Sequence, residues 1–167
     1  MPARKRLSHV SPAGAARMVD VSDKAPTARR ATAEAWVTVG AAIARALRQA
    51  GGVSKGNVLE TARLAGILAA KRTGELIPLC HPLPLDDIDV DIALAGLRVR
   101  IVARVACLGK TGVEMEAMTA AAVAALTVYD MVKSAGKGVE IGPVRLLEKT
   151  GGKSGRWARE GHADGPG

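Results

Sequence analysis

A few short stretches of this 167-residue chain carry side chains able to do chemistry. In Leu79-Cys80-His81-Pro82 a thiol and an imidazole share a turn bounded by prolines. A histidine in such an irregular segment suits proton transfer or a structural hydrogen bond equally well, and Cys80 reads as buried filler more readily than as a nucleophile. Glu114 and Glu116 flank Met115, and in extended backbone that spacing points both carboxyls the same way. Asp130 and Lys133 are three apart and share one helix face. Their plain reading is an ion pair. Beside the apolar stretch that precedes them, the same two groups could sit in a cleft where burial tunes them for acid–base work.

Three glycine-rich pieces invite a phosphate-binding reading: Gly109-Lys110-Thr111, Gly142-Pro143 and Gly151-Gly152-Lys153-Ser154-Gly155. Neither lysine-bearing piece is a Walker loop, because Arg104 and Leu147 stand where the first glycine belongs. Backbone amides in such turns can still cradle a phosphate, and plain surface turns look the same.

These residues need elements to position them. Ala31, Ala33, Ala35, Val37 and Val39 alternate with Arg30, Thr32, Glu34, Trp36 and Thr38, the pattern of a half-buried strand. From Leu85 to Val105 two alternating arms meet at Ala95-Gly96, which predicts a hairpin pairing Leu94 with Leu97, Asp91 with Arg100 and Asp87 with Arg104. Those charges read as a solvated sheet face and are set aside from the site. Two helices fill the gaps, one from a cap at Ser54 or Asn57 to about Arg72, stopped by Gly74, and one from about Glu116 to Ala135, stopped by Gly136. A last strand over Val139 to Leu147 carries Pro143, which confines it to an edge or a bulge. The order implies an α+β fold, a mostly antiparallel four-stranded sheet with helices on one face. Mobile tails are expected at 1–15 and 156–167, flanking a single domain at 16–155.

Composition narrows the function classes. Cys80 and Cys107 are too far apart for a zinc ribbon or a disulfide scaffold, and a cytoplasmic setting is expected. No apolar run looks like a membrane span or a signal segment. The net charge of +8 is unevenly placed: residues 1–30 hold seven Lys/Arg against two Asp/Glu, 31–130 ten against ten, and 131–167 seven against four. Only 2% of the residues are aromatic, so the stacking platforms of a single-strand nucleic-acid binder are missing. Basic flanks around a neutral middle fit an anionic small ligand, or else solvated tails. The residues alone leave the choice between an enzyme and a non-catalytic nucleotide binder open.

Several spaced words carry a resemblance: Met18-Val19-Asp20-Val21-Ser22, Ala69-Ala70-Lys71-Arg72-Thr73, Ile77-Pro78-Leu79-Cys80-His81-Pro82-Leu83, Thr111-Gly112-Val113-Glu114-Met115-Glu116-Ala117, Leu126-Thr127-Val128-Tyr129-Asp130-Met131, Ile141-Gly142-Pro143-Val144-Arg145-Leu146 and Gly151-Gly152-Lys153-Ser154-Gly155. Together they resemble the cyclic pyranopterin monophosphate synthase family, protein C of molybdenum-cofactor biosynthesis. The resemblance implies a ferredoxin-like subunit in a homohexamer, a trimer of dimers with sites at subunit interfaces. It also implies conversion of a cyclised dihydroguanosine triphosphate into cyclic pyranopterin monophosphate with loss of diphosphate. No nucleic acid or membrane partner and no tightly bound cofactor or protein-held metal are implied, although Mg2+ can accompany the triphosphate. Carried over by motif, Asp130, Lys133 and Lys55 are the catalytic candidates. Leu79, Cys80, His81, Glu114, Met115, Glu116, Lys24, Arg29, Lys149 and Lys153 are the substrate-binding candidates, with Arg30 competing with Arg29 for the inward position.

Overall fold

The structure, a computed structural model, describes residues 13–50 and 57–161. The alternating segment forms β1 (Thr27–Thr38), followed by α1 (Gly40–Ala50), α2 (Val58–Lys71) and a single turn, α3 (Thr73–Leu76). The hairpin β2 (Asp87–Ala95) and β3 (Arg98–Gly109) leads into α4 (Glu114–Val132), β4 (Glu140–Thr150) and the two-residue β5 (Trp157–Ala158). The sheet runs β2-β3-β1-β4-β5 with every neighbouring pair antiparallel. It has five strands rather than the expected four, because Trp157 and Ala158 pair with Lys149 and Glu148 just beyond the expected boundary at Gly155.

The core lies between the sheet and the helices. Ala31, Ala33, Ala35 and Val37 of β1 are buried, as are Ala117, Ala120, Ala121, Ala124, Ala125 and Val128 of α4. Alanine brings little area per residue, whereas a fully buried valine such as Val99 contributes about 1.5–3 kcal/mol, so stability is spread over many contacts. What small residues supply is closeness. A Cβ on Gly66 of α2 would stand 3.0 Å from the Ala120 carbonyl oxygen of α4. Among the described residues α4 alone is long and apolar enough to cross a membrane, and half of it is buried in this core, which accounts for its hydropathy.

Local signals hold in part. Asn57 caps α2 by accepting from the Glu60 amide, and the helix ends at Lys71. Pro143 lies on β4 where the pairing with β1 slips, Ala35 facing Val144 and Val37 facing Ile141, so it occupies a bulge away from β5. Two expectations fail. Ile43, Ala44 and Leu47 are buried on α1, a helix beyond the two expected. The hairpin register is displaced by two: Leu94 faces Val99, Ile92 faces Ile101, and Asp89 rather than Asp87 faces Arg104. The cause is Gly96, whose φ of 63° puts it first in a Gly96-Leu97 turn instead of second in an Ala95-Gly96 turn. The shift by an even number leaves each side chain on its expected face, and Asp89 and Arg104 form a solvated 2.9 Å ion pair.

Glu34 departs from its expected half-exposed place, being only 2% exposed. Its carboxylate accepts from Arg100 Nη2 at 3.0 Å and from Arg145 Nε at 2.8 Å, on the sheet face opposite Ala33 and Ala35. Arg98 lies over the Trp36 ring, 4.2 Å from its centroid, beside this cluster. Burial pushes the Glu34 carboxyl up, but hydrogen bonds from Arg145, Arg100 and Trp36 outweigh it and hold it below its ordinary value. A depressed acid stabilises the fold above its unfolded value and loses that contribution as pH falls through the folded value. Glu34→Gln is expected to lower stability at neutral pH by about 1–3 kcal/mol in urea unfolding, with the difference from the parent shrinking as the pH drops below about 4.5. A difference independent of pH would refute this role for the ionised carboxylate.

Candidate active site

At one end of the layers a cleft of about 1100 Å³ opens where several elements finish together. Its walls are the segment 19–25, the start of β1, the turn around Cys80 and His81, the turn from β3 into α4, and the 149–154 stretch that ends β4. Antiparallel pairing explains this convergence. Ala31 faces Lys149, and Arg29, two residues earlier on the same strand face, faces Cys107. Arg30 therefore points away, among Thr32 and Glu148, which settles the inward position in favour of Arg29.

Of the expected binding residues, Lys24, Arg29, Cys80, His81, Glu114, Met115, Glu116, Lys149 and Lys153 all line this cleft. Leu79 adjoins Cys80 in the same turn. Arg29 is fixed by donating Nε to the Gly109 carbonyl and Nη2 to the Lys110 carbonyl, both at 3.3 Å. The Gly151-Gly152 turn lies directly on its guanidinium: a Cβ on Gly152 would come within 2.0 Å of Arg29 Nη1, and one on Gly151 within 2.2 Å of the Ala28 carbonyl oxygen. Positive φ values of 101° and 69° at these two residues demand glycine as well. Lys149 Nζ donates to Glu114 Oε1 at 2.7 Å.

Glu114 and Glu116 begin α4 rather than lying in extended backbone, so they diverge instead of pointing the same way. Glu114 reaches Lys149, whereas Glu116 is 3% exposed. Burial, reinforced by the Glu114 charge, pushes the Glu116 carboxyl above its ordinary value. Burial and then the Glu116 and Glu114 charges push the Cys80 thiol up, which favours the inert thiol over the thiolate. The cleft thus has a cationic wall of Lys24, Arg29, Lys110, Lys149 and Lys153 and an acidic corner of Glu114 and Glu116. Such a wall suits a polyanion, and a carboxyl in the corner can exchange a proton or accept from an N–H edge. Among the described residues no group of three or more His, Cys, Asp and Glu is arranged to hold a metal ion.

The catalytic candidates fare differently. Asp130 and Lys133 do form the expected pair, at 2.5 Å, but at the far end of α4. They stand about 21 Å along the helix from Glu116 at ~1.5 Å per residue. Neither lines the cleft, and their side chains are 61% and 55% exposed. The hydrogen bond and charge of Asp130 instead raise the Lys133 ammonium above its ordinary value. Lys55 lies outside the described residues. Lys110, Thr111 and Ser154, whose glycine-rich pieces invite a phosphate-binding reading without being named among the site residues, also line the cleft, as does Asp23. The place of Gly109-Lys110-Thr111 between a strand and a helix start is the signal that marks it.

Fold and cleft together define a small α+β protein with a preformed, cation-walled cleft. The chain belongs to the MoaC family, whose model matches residues 18–152. It is 56% identical over 158 residues to a cyclic pyranopterin monophosphate synthase of Streptomyces avermitilis, covering 95% of this chain and 92% of the relative. A protein of the same name from Methylobacterium nodulans is 57% identical over 158 residues, covering 92% and 97%, and one from Streptomyces coelicolor 55% over 154, covering 92% and 90%.

Glu116 gives the cleft a measurable signature. An acid whose folded value is raised costs stability once the pH exceeds its unfolded value, because the unfolded chain ionises first. Glu116→Gln is expected to match the parent in Tm below about pH 4 and to exceed it increasingly toward neutral pH. A Gln variant less stable than the parent at pH 7 would show Glu116 ionised and favourably paired.

Proposed function

We propose that this chain is a cyclic pyranopterin monophosphate synthase, a lyase of molybdenum-cofactor biosynthesis acting on a cyclised dihydroguanosine 5'-triphosphate. The observation that carries the reading is the convergence of Lys24, Arg29, Lys110, Lys149 and Lys153 on one cleft that also holds Cys80, His81, Met115 and Glu116. The cations hold the triphosphate and take up the charge that develops as diphosphate leaves. In that step the α-phosphorus exchanges its bond to the diphosphate oxygen for one to a ribose-derived hydroxyl, whose proton must be removed. Opening and reclosure of the guanine-derived ring needs further proton transfers, the task assigned to Asp130, Lys133 and Lys55. Mg2+ travels with the triphosphate in this reading, since Glu114 is already engaged by Lys149 and Glu116 is buried. The protein is placed in the cytosol, and its β-α-β-β-α-β order is taken as ferredoxin-like with β5 appended.

Asp130 and Lys133 reach a cleft only if a second copy brings them, which fits a homohexamer built as a trimer of dimers. The outward side of α4 supports this. Met115, Leu126 and Tyr129 are exposed along one stripe, with small Ala122 at its middle. Two such helices packed antiparallel about Ala122 and Val123 set Asp130 of one copy beside Met115 of the other, in the cleft wall.

The test follows pterin product by mass and released diphosphate from the cyclic triphosphate. The parent should form both, and Arg29→Met and Asp130→Asn should each lose at least about a hundredfold in rate. Co-expressed, the two variants should regain about a quarter of the parental rate, because half of randomly paired dimers hold one intact site of two. No product from the parent refutes the activity, and no regain on mixing refutes the shared site.

A further inference from the structure

The segment 19–25 forms one wall of the cleft without belonging to any helix or strand. Val19, Val21, Asp23, Lys24 and Ala25 face the cavity, so this strap delivers one of the five cations. Its internal hydrogen bonds are local: the Ser22 amide and hydroxyl both donate to Asp20 Oδ1, at 2.9 and 2.7 Å, and the Lys24 amide donates to the Val21 carbonyl at 3.1 Å. Among the described residues a single hydrogen bond ties it to the body of the protein, from Lys110 Nζ to the Ser22 carbonyl at 2.8 Å. The Lys110 charge also acts on the Asp20 carboxylate in the same turn.

Lys110 is itself well anchored. It follows the last residue of β3, and its own carbonyl accepts from Arg29 Nη2. One residue thus links the strap to the Arg29 guanidinium. Its ammonium donates to the Ser22 carbonyl, and its charge acts on the Asp20 carboxylate as well as on the cleft it lines.

We propose that Lys110 is a positioning residue for the binding reaction: its ammonium pins the 19–25 strap across the cleft and thereby holds Lys24 against the bound anion. A pinned strap is pre-ordered, so the ligand need not meet that ordering cost on binding. The proposal rests on the reading of the cleft as a triphosphate site. Its structural half is tested without substrate.

Amide exchange of the unliganded protein is compared for the parent, Lys110→Met and Lys110→Arg. Lys110→Met should speed exchange over 19–25 by about tenfold while β3 and β4 stay protected, and Lys110→Arg, which can still donate to Ser22, should restore most of the protection. In turnover assays Lys110→Met should raise KM for the cyclic triphosphate about tenfold or more with kcat changed far less. A raised KM with unchanged strap exchange makes Lys110 a direct phosphate contact only and overturns the proposal, as does unchanged exchange with unchanged KM. Faster strap exchange in a protein that turns over no cyclic triphosphate leaves the strap mechanism standing and counts against the assigned substrate instead.

Discussion

Five ammonium and guanidinium groups around one cleft repel each other, and the fold has to hold them there before any ligand arrives. Two unit charges about 8 Å apart at an effective dielectric of about 20 would cost about 2 kcal/mol. The protein offsets this with oxygen atoms that belong to its framework. Arg29 rests on the carbonyls of Gly109 and Lys110, Lys110 on that of Ser22, and Lys149 on the Glu114 carboxylate. Arg29, Lys110 and Lys149 therefore each have a fixed direction, so an anion entering the cleft would meet cations already in place.

The same constraint explains the glycines. The Gly151-Gly152 turn has to lie on the Arg29 guanidinium, where any Cβ would collide. Gly112 meets the same restriction at Glu114 Oε2, 1.9 Å from the position its Cβ would take, so the turn into α4 can bend tightly over the carboxylate that holds Lys149. Such motifs look like generic flexible turns until the groups packed on them are seen. On the opposite sheet face, Arg100 and Arg145 are engaged by buried Glu34, where they stabilise the fold. Equal residue types thus do unlike work according to which face of β1 they meet.

Much of this was legible in the sequence because strand periodicity fixes faces. The alternation from Ala31 to Val39 placed β1, and evenness of the hairpin error kept Asp89, Asp91 and Arg104 on the solvated side even though their partners moved. Residue types and motif words marked nine of the cleft residues. What stayed hidden depended on three dimensions. Glu34 is buried only because two arginines from distant strands fold over it, and Glu114 and Glu116 diverge because α4 begins two residues earlier than its pattern suggested. Lys110 escaped because its role is a contact with Ser22, 88 residues away in the chain.

The two ends of α4 differ in setting. One end supplies Glu114 and Glu116 to the cleft, while the other carries the solvent-exposed Asp130–Lys133 ion pair. The central claim is that anionic groups are held by the cationic wall of the cleft, and a crystal structure with guanosine triphosphate bound tests it most directly. Phosphate oxygens are expected within hydrogen-bonding distance of Arg29, Lys149 and Lys153, with the base toward Glu116. Phosphates seated instead on the Arg98, Arg100 and Arg145 face of the sheet, with the cleft unchanged, would contradict it.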